Sequence, residues 1–225
     1  MISKVLIRTA VWLAVASAVL FVPAGTIYWP EAWVFLAGLG VLGLVSGLSL
    51  ARHDPDLLKE RMRLPLQREQ KSWDQSLMLL IVLLGFAEFV VSALDAVRFQ
   101  VSLVPLWIEI LGATGVALGF YLYFVALREN TYAAPVVKIQ KDREHRVITT
   151  GPYALVRHPL YAGAILFFFA APLLLGSWYG LAFALVITAL YVIRTVWEEA
   201  TLKAELEGYD AYAARVRYRL VPGVW

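Results

Sequence analysis

The chain reads as an all-α, polytopic integral membrane protein that crosses the bilayer about six times and ends in a helical hairpin. Three observations predict this. Hydrophobic residues make up 60% of the chain against 16% charged ones, and mean hydropathy is +0.69. The apolar runs also come in pieces near the ~20 residues that a bilayer core of ~30 Å demands. Soluble domains sit near ~45–50% apolar and about 25% charged, so a water-facing globular enzyme is excluded. The 225 residues include no Cys, which excludes a disulfide framework, a thiolate metal site, a Cys nucleophile and an iron–sulfur cluster. A net charge of +3 and a pI of about 9.1 belong to loops flanking a membrane rather than to a nucleic-acid surface.

Four runs are single-span candidates: 5–27, 33–51, 77–94 and 104–127. The fifth apolar region, 161–193, is too long for one crossing and is interrupted by Leu175-Gly176-Ser177-Trp178-Tyr179-Gly180, a turn-like cluster. It reads as a hairpin whose first arm is short for a full crossing; with that arm the count is six, without it five. All Lys and Arg except Arg98 fall on one side of this arrangement, Arg68 among them. The positive-inside rule therefore places both termini and the two long loops in the cytoplasm. The first run follows Lys4 as a signal peptide would, but it is longer than a secretory core and passes into Tyr28-Trp29-Pro30, so it reads as a retained span. The small size of the chain points to a prokaryotic inner membrane.

Several chemical-looking signals have plainer readings. Gly38-Leu39-Gly40-Val41-Leu42-Gly43 fits a dinucleotide fingerprint, but it sits mid-span, where its N–H groups are consumed by the helix. Gly43 with Gly47, and Gly115 with Gly119, instead predict close helix packing. Glu88 is an intramembrane carboxylate that pairs across helices or hydrogen-bonds in protonated form, Glu109 lies near the outer end of its span, and Asp95 is expected at the interface. Trp29, Trp33, Trp107 and Trp178 are expected in the aromatic belts, and 54–75 as a helix lying on the surface.

Polar residues become dense after Asn130. The stretch Gly151-Pro152-Tyr153-Ala154-Leu155-Val156-Arg157-His158-Pro159-Leu160-Tyr161-Ala162-Gly163 opens the hairpin. Pro159 suits a first helical position, which puts Arg157 and His158 at a helix N-terminus on the membrane surface, a natural anion site. The second arm ends Arg194-Thr195-Val196-Trp197-Glu198-Glu199, with Arg194 and Glu198 at i and i+4 on one face. A tight hairpin returns this pair to the depth of His158. Two cationic groups from one arm then meet an Arg/Glu pair from the other.

Gly-x-Tyr, Arg-His-Pro-x-Tyr-x-Gly, Arg-x-x-x-Glu-Glu and the tail Gly208-Tyr209-x-x-Tyr212 resemble the isoprenylcysteine carboxyl methyltransferase family and its phospholipid methyltransferase relatives. The resemblance covers the C-terminal part of the chain; the earlier spans match in general character only. It implies a 1–127 four-helix transmembrane region and a 128–225 methyltransferase region that binds S-adenosyl-L-methionine without a Rossmann domain. By motif, the resemblance assigns Gln140, His145, Arg146, Val147, Ile148, Tyr153, Arg157, His158, Pro159, Leu160, Tyr161 and Glu198 to the cofactor pocket. Arg194 falls at the acceptor, and Arg194 with Glu198 forms the catalytic pair. No metal is implied. A lipophilic acceptor would enter from the bilayer; a carboxylate acceptor is already ionised at pH 7 and needs no general base. Two other classes remain to be distinguished. A sterol-type reductase using NADPH shares an Arg-His-Pro-x-Tyr stretch but carries Asn where this chain has Leu160. A transporter would spread polar residues along several spans.

Overall fold

The computed structural model describes residues 1–63, 67 and 70–225; Arg68 and part of the expected 54–75 surface helix lie outside them. Among the described residues the chain is helical with no strands, and its long helices succeed one another antiparallel. They are α1 (Ile2–Ala24), α2 (Pro30–His53), the short α3 (Pro55–Arg61), α4 (Ser72–Ala93), α5 (Leu106–Glu129), α6 (Pro159–Leu174), α7 (Gly180–Glu205) and the short α8 (Tyr209–Arg215). Sequence chemistry sets their ends. Gly25 closes α1 in the left-handed region at φ 72°, a conformation that costs a glycine little. Pro30, Pro55 and Pro159 each stand at a first helical turn, where the missing N–H has no partner to lose. Asp54 caps α3 by accepting from Leu57 N at 2.9 Å.

The hairpin breaks where the turn cluster lies, with Gly176 at φ 79° between α6 and α7. Among the described residues five helices are long and apolar enough to cross a membrane, and α6 is a shorter apolar helix of 16 residues. At ~1.5 Å per residue α6 spans only about 24 Å, short of a ~30 Å core. α7 reaches about 39 Å on the same rise, longer than a ~30 Å core, and Glu198 and Glu199 stand about 27–29 Å along it, at the edge of such a layer.

Backbone contact between α5 and α6 is made by small residues. A Cβ on Gly119 would lie 2.8 Å from the Gly163 carbonyl oxygen, and one on Gly163 would lie 2.7 Å from the Gly119 oxygen. Gly43 and Gly47 face Thr9 and Val5 of α1 in the same spirit, the packing role expected of them. Gly119→Ala is expected to cost about 1–3 kcal/mol through overpacking. Thermal unfolding in detergent should show a clear drop, whereas Gly38→Ala, whose Cβ would meet nothing within 4 Å, should leave the midpoint unchanged or higher.

At the end away from most basic residues, α4 runs into a π-helical turn at Leu94–Arg98. Asp95, expected at the membrane interface, lies at this span end and is buried within the protein. It accepts from Ser102 N (3.0 Å), Ser102 Oγ (2.6 Å) and Ser177 Oγ (2.6 Å), which ties α4 to the α6–α7 turn. The expected belt residue Trp29 is likewise buried, edge-on to Phe21 at 6.5 Å, while Trp33, Trp107 and Trp178 stay exposed. Glu88 is fully buried, but neither oxygen has the cross-helix pair or hydrogen bond expected of it among the described residues.

Candidate active site

The opposite end collects both long loops, the start of α6, the end of α7 and the C-terminal tail. The tail folds back along the α6 entry, where Arg157 N donates to Tyr218 O (3.0 Å) and His158 N to Arg219 O (2.9 Å). Between these segments lies a cleft of about 110 Å³. Its walls come from the 130–148 loop, Tyr153, the α6 entry, Glu198 and Leu202 of α7, and the Tyr209/Tyr212 pair of α8.

Of the residues expected in a cofactor pocket, His145, Arg146, Val147, Ile148, Tyr153, Arg157, His158, Leu160, Tyr161 and Glu198 line this cleft. Gln140, Pro159 and Arg194 do not. Gln140 is buried behind it, donating to Tyr132 O at 2.8 Å and accepting from Arg143 at 2.7 Å. It braces the loop instead of facing the opening. Pro159 is buried at the helix start.

Flat and polar walls face each other across the cleft. His145 stacks on Tyr132 with ring centroids 4.4 Å apart. Burial, with the nearby Arg143 charge, pushes the His145 imidazolium down to about 4, so the ring is neutral at pH 7. Because the unfolded chain takes up this proton near pH 6.5 and the folded one only near 4, stability should fall as pH drops through that window. Comparing thermal midpoints at pH 7 and pH 4.5 tests this: His145→Gln should flatten the fall seen in the unsubstituted protein. On the other side, His158 stacks on Tyr161 (5.4 Å, 12°). Tyr161 donates to Glu198 Oε2 at 2.5 Å. Asn130 Nδ2 donates to Tyr153 OH at 3.1 Å, and Tyr212 OH to Tyr153 O at 2.8 Å. Burial raises the Tyr209 and Tyr153 phenols well above the usual range and Tyr212 to about 12, so all three stay protonated donors. In the wall, Tyr209 OH is buried without a hydrogen-bond partner among the described residues, and His158 Nε2 is buried with the Glu199 carboxylate 3.4 Å away.

Arg157 departs most from expectation. It is not a free cation at a helix start: Nε binds Glu199 Oε1, and one terminal nitrogen binds Val216 O (2.6 Å) and Arg217 O (2.9 Å). Glu199 also accepts from Arg219 at 2.8 Å and lies 3.4 Å from His158 Nε2. Arg194 is buried one turn deeper, paired with Asp74 Oδ1 at 2.7 Å and donating to Pro135 O at 3.1 Å. Its guanidinium lies over the Tyr161 ring at 5.1 Å. Arg194 and Glu198 thus meet at Tyr161, from below the ring and at its hydroxyl.

Sequence reasoning missed Asp74 as a partner. It lies at the entry of the third apolar run, is fully buried, and binds Gln70 (2.8 Å) and Val137 N (2.9 Å) besides Arg194. A carboxylate inside an otherwise apolar helix was the available signal. Arg219 carried none, because a cation in a tail looks like any membrane-flanking charge.

The phospholipid methyltransferase family model matches residues 107–207, the segment that supplies α5, the loop and the hairpin. The protein-S-isoprenylcysteine O-methyltransferase of Schizosaccharomyces pombe is 26% identical over 205 residues, covering 82% of this chain and 84% of that protein. Protein-S-isoprenylcysteine O-methyltransferase B of Arabidopsis thaliana is 31% identical over 116 residues, 49% of this chain and 57% of that one. These matches support an assignment to the isoprenylcysteine carboxyl methyltransferase family. The matches support a membrane methyltransferase, and the segment matched by the family model contains most of the cleft wall.

Proposed function

We propose that the chain transfers a methyl group from S-adenosyl-L-methionine to the carboxylate of a lipophilic acceptor of the prenylcysteine type, in a site built by residues 128–225. The observation that carries this is the cleft wall itself: a stacked His145/Tyr132 face, the Glu198 carboxylate, the His158 ring, and the buried Tyr209 hydroxyl, which has no hydrogen-bond partner among the described residues. That set fits the cofactor chemically. A neutral stacked ring suits a flat base. The carboxylate suits an ammonium or ribose hydroxyls, and donors from His and Tyr suit a carboxylate end.

The cofactor supplies an electrophilic methyl group on a positively charged sulfur. The chain's residues then bind, align and exclude water. Proximity and alignment are the main catalytic resource in such a displacement, and an ionised carboxylate acceptor makes a general base unnecessary. Glu198 holds the Tyr161 hydroxyl, and Tyr161 with His158 forms the inner wall. Arg194, saturated by Asp74 and Pro135, is a positioning residue acting through the Tyr161 ring. The cleft of about 110 Å³ is below the ~300 Å³ of typical ligand sites, so binding requires the 130–148 loop or the tail to yield.

In this reading the basic end faces the cytoplasm, both termini included, in a prokaryotic inner membrane. The cofactor arrives from water and the acceptor from the bilayer. Calorimetry on the purified protein should register S-adenosyl-L-methionine and its demethylated product, with Glu198→Gln weakening both at least tenfold. An absence of binding in both detergent and lipid would overturn the proposal.

A further inference from the structure

A second, larger cavity of about 600 Å³ lies within the helix bundle, bounded by α1, α2, α4, α5, α6 and α7. Its wall is almost wholly apolar. Among the described residues that line it there are two charges, Arg8 of α1 and Arg61 at the end of α3, and no carboxylate. Arg61 donates to Ala133 O at 2.7 Å and to the Tyr123 hydroxyl, both neutral acceptors. The arginines that line the cleft, and Arg194 one turn deeper, are different: Arg146, Arg157 and Arg194 each pair with a carboxylate, from Glu144, Glu199 and Asp74. Of the arginines lining the two spaces, Arg8 and Arg61 lack one among the described residues, whereas Arg146 and Arg157 have theirs.

The two spaces adjoin at these groups. Ala133, which receives the Arg61 hydrogen bond, lines the cleft. Tyr161 of the cleft and Tyr191 of the cavity stand with ring centroids 5.3 Å apart. A cavity in this size range fits a drug-sized or lipid-sized ligand. Two unneutralised guanidinium groups beside a membrane-embedded apolar space are costly unless an anion joins them. Guanidinium also matches a carboxylate in bidentate geometry.

We propose that Arg61, assisted by Arg8, is the anion subsite for the methyl acceptor: a single-chain amphiphile whose carboxylate sits at the Arg61 end and whose apolar chain fills the cavity. This rests on the methyl-transfer reading above and gives the acceptor-binding charge to Arg61, leaving Arg194 to its pairing with Asp74. Affinity should also rise with chain length, by about fourfold per buried methylene.

The test uses the full-length protein in lipid nanodiscs, with N-acetyl-S-farnesylcysteine and palmitate as carboxylate probes and their carboxamides as uncharged counterparts. The unsubstituted protein should bind each acid at least tenfold more tightly than its amide. Arg61→Gln and Arg8→Gln should lower acid affinity, by about tenfold or more for Arg61, and leave amide affinity unchanged. Arg61→Lys should recover part of the preference, and cofactor affinity should stay within twofold throughout. Equal binding of acids and amides by the unsubstituted protein overturns the inference, as does an acid preference that survives both Gln variants. Should Arg61→Gln fail to fold, Arg8→Gln and the acid/amide ratio of the unsubstituted protein still decide. Loss of cofactor binding in the unsubstituted protein would count against the methyltransferase reading, whereas a missing acid preference with cofactor bound counts against this subsite alone.

Discussion

Glu199→Gln is expected to be the most damaging single-atom change in the chain. Its carboxylate holds Arg157 and Arg219 and lies against His158, joining the end of α7 to the α6 entry and the tail. The Arg157 side chain is buried with this carboxylate as its counter-charge. Breaking a buried pair from one side typically costs about 3–5 kcal/mol, because the remaining charge stays out of water uncompensated. Thermal unfolding should show a large loss, and protease should cut the tail faster once Arg219 is released. Glu198→Gln is the informative comparison. Glu198 is half-buried and meets Tyr161 and His158 at the cleft wall, so its loss should spare stability while weakening cofactor binding. If the two variants behave alike, the separation of framework from binding surface is wrong.

A similar magnitude is expected for Asp74→Ala. Asp74 links α4 to Arg194 of α7, to Val137 in the loop and to Gln70. Its removal strands a buried guanidinium, again about 3–5 kcal/mol, and frees the Tyr161 ring that the guanidinium supports. Arg194→Lys should not substitute, because an ammonium lacks the planar fork that reaches Asp74 and Pro135 O together. The paired variant Asp74→Leu/Arg194→Met provides the sharper test. Replacing a buried pair with apolar residues is often neutral or stabilising, so the midpoint should recover. Methyl transfer should stay low, since Tyr161 loses its charged support. Full activity in the paired variant would remove Arg194 from the catalytic arrangement.

Helices and their order were legible in the sequence because bilayer crossing imposes a length and polarity that few residues can disguise. The hairpin break was legible for a similar reason: Gly176 takes a left-handed conformation that its neighbours would resist. The convergence of Arg157, His158 and Glu198 on one cleft was legible from their motifs. Partner choice was less so. Arg157 is paired with Glu199, a contact 42 residues away in sequence, and Arg194 with Asp74, 120 residues away. Spacing within a helix says nothing about such pairs.

Asp95 shows the same division. Its position near a span end suggested the membrane interface, yet Ser102 and Ser177 arrive from two other segments and bury it in hydrogen bonds. Local chemistry therefore determined that this is a helical membrane protein, where its helices begin and end, and which C-terminal residues gather at one end. Tertiary structure alone decided which charges are neutralised and which remain open to a ligand. Burial makes a charge seek a counter-charge wherever the fold brings one, and only packing in three dimensions reveals that Arg157 and Arg194 have found theirs while, among the described residues, Arg8 and Arg61 have none.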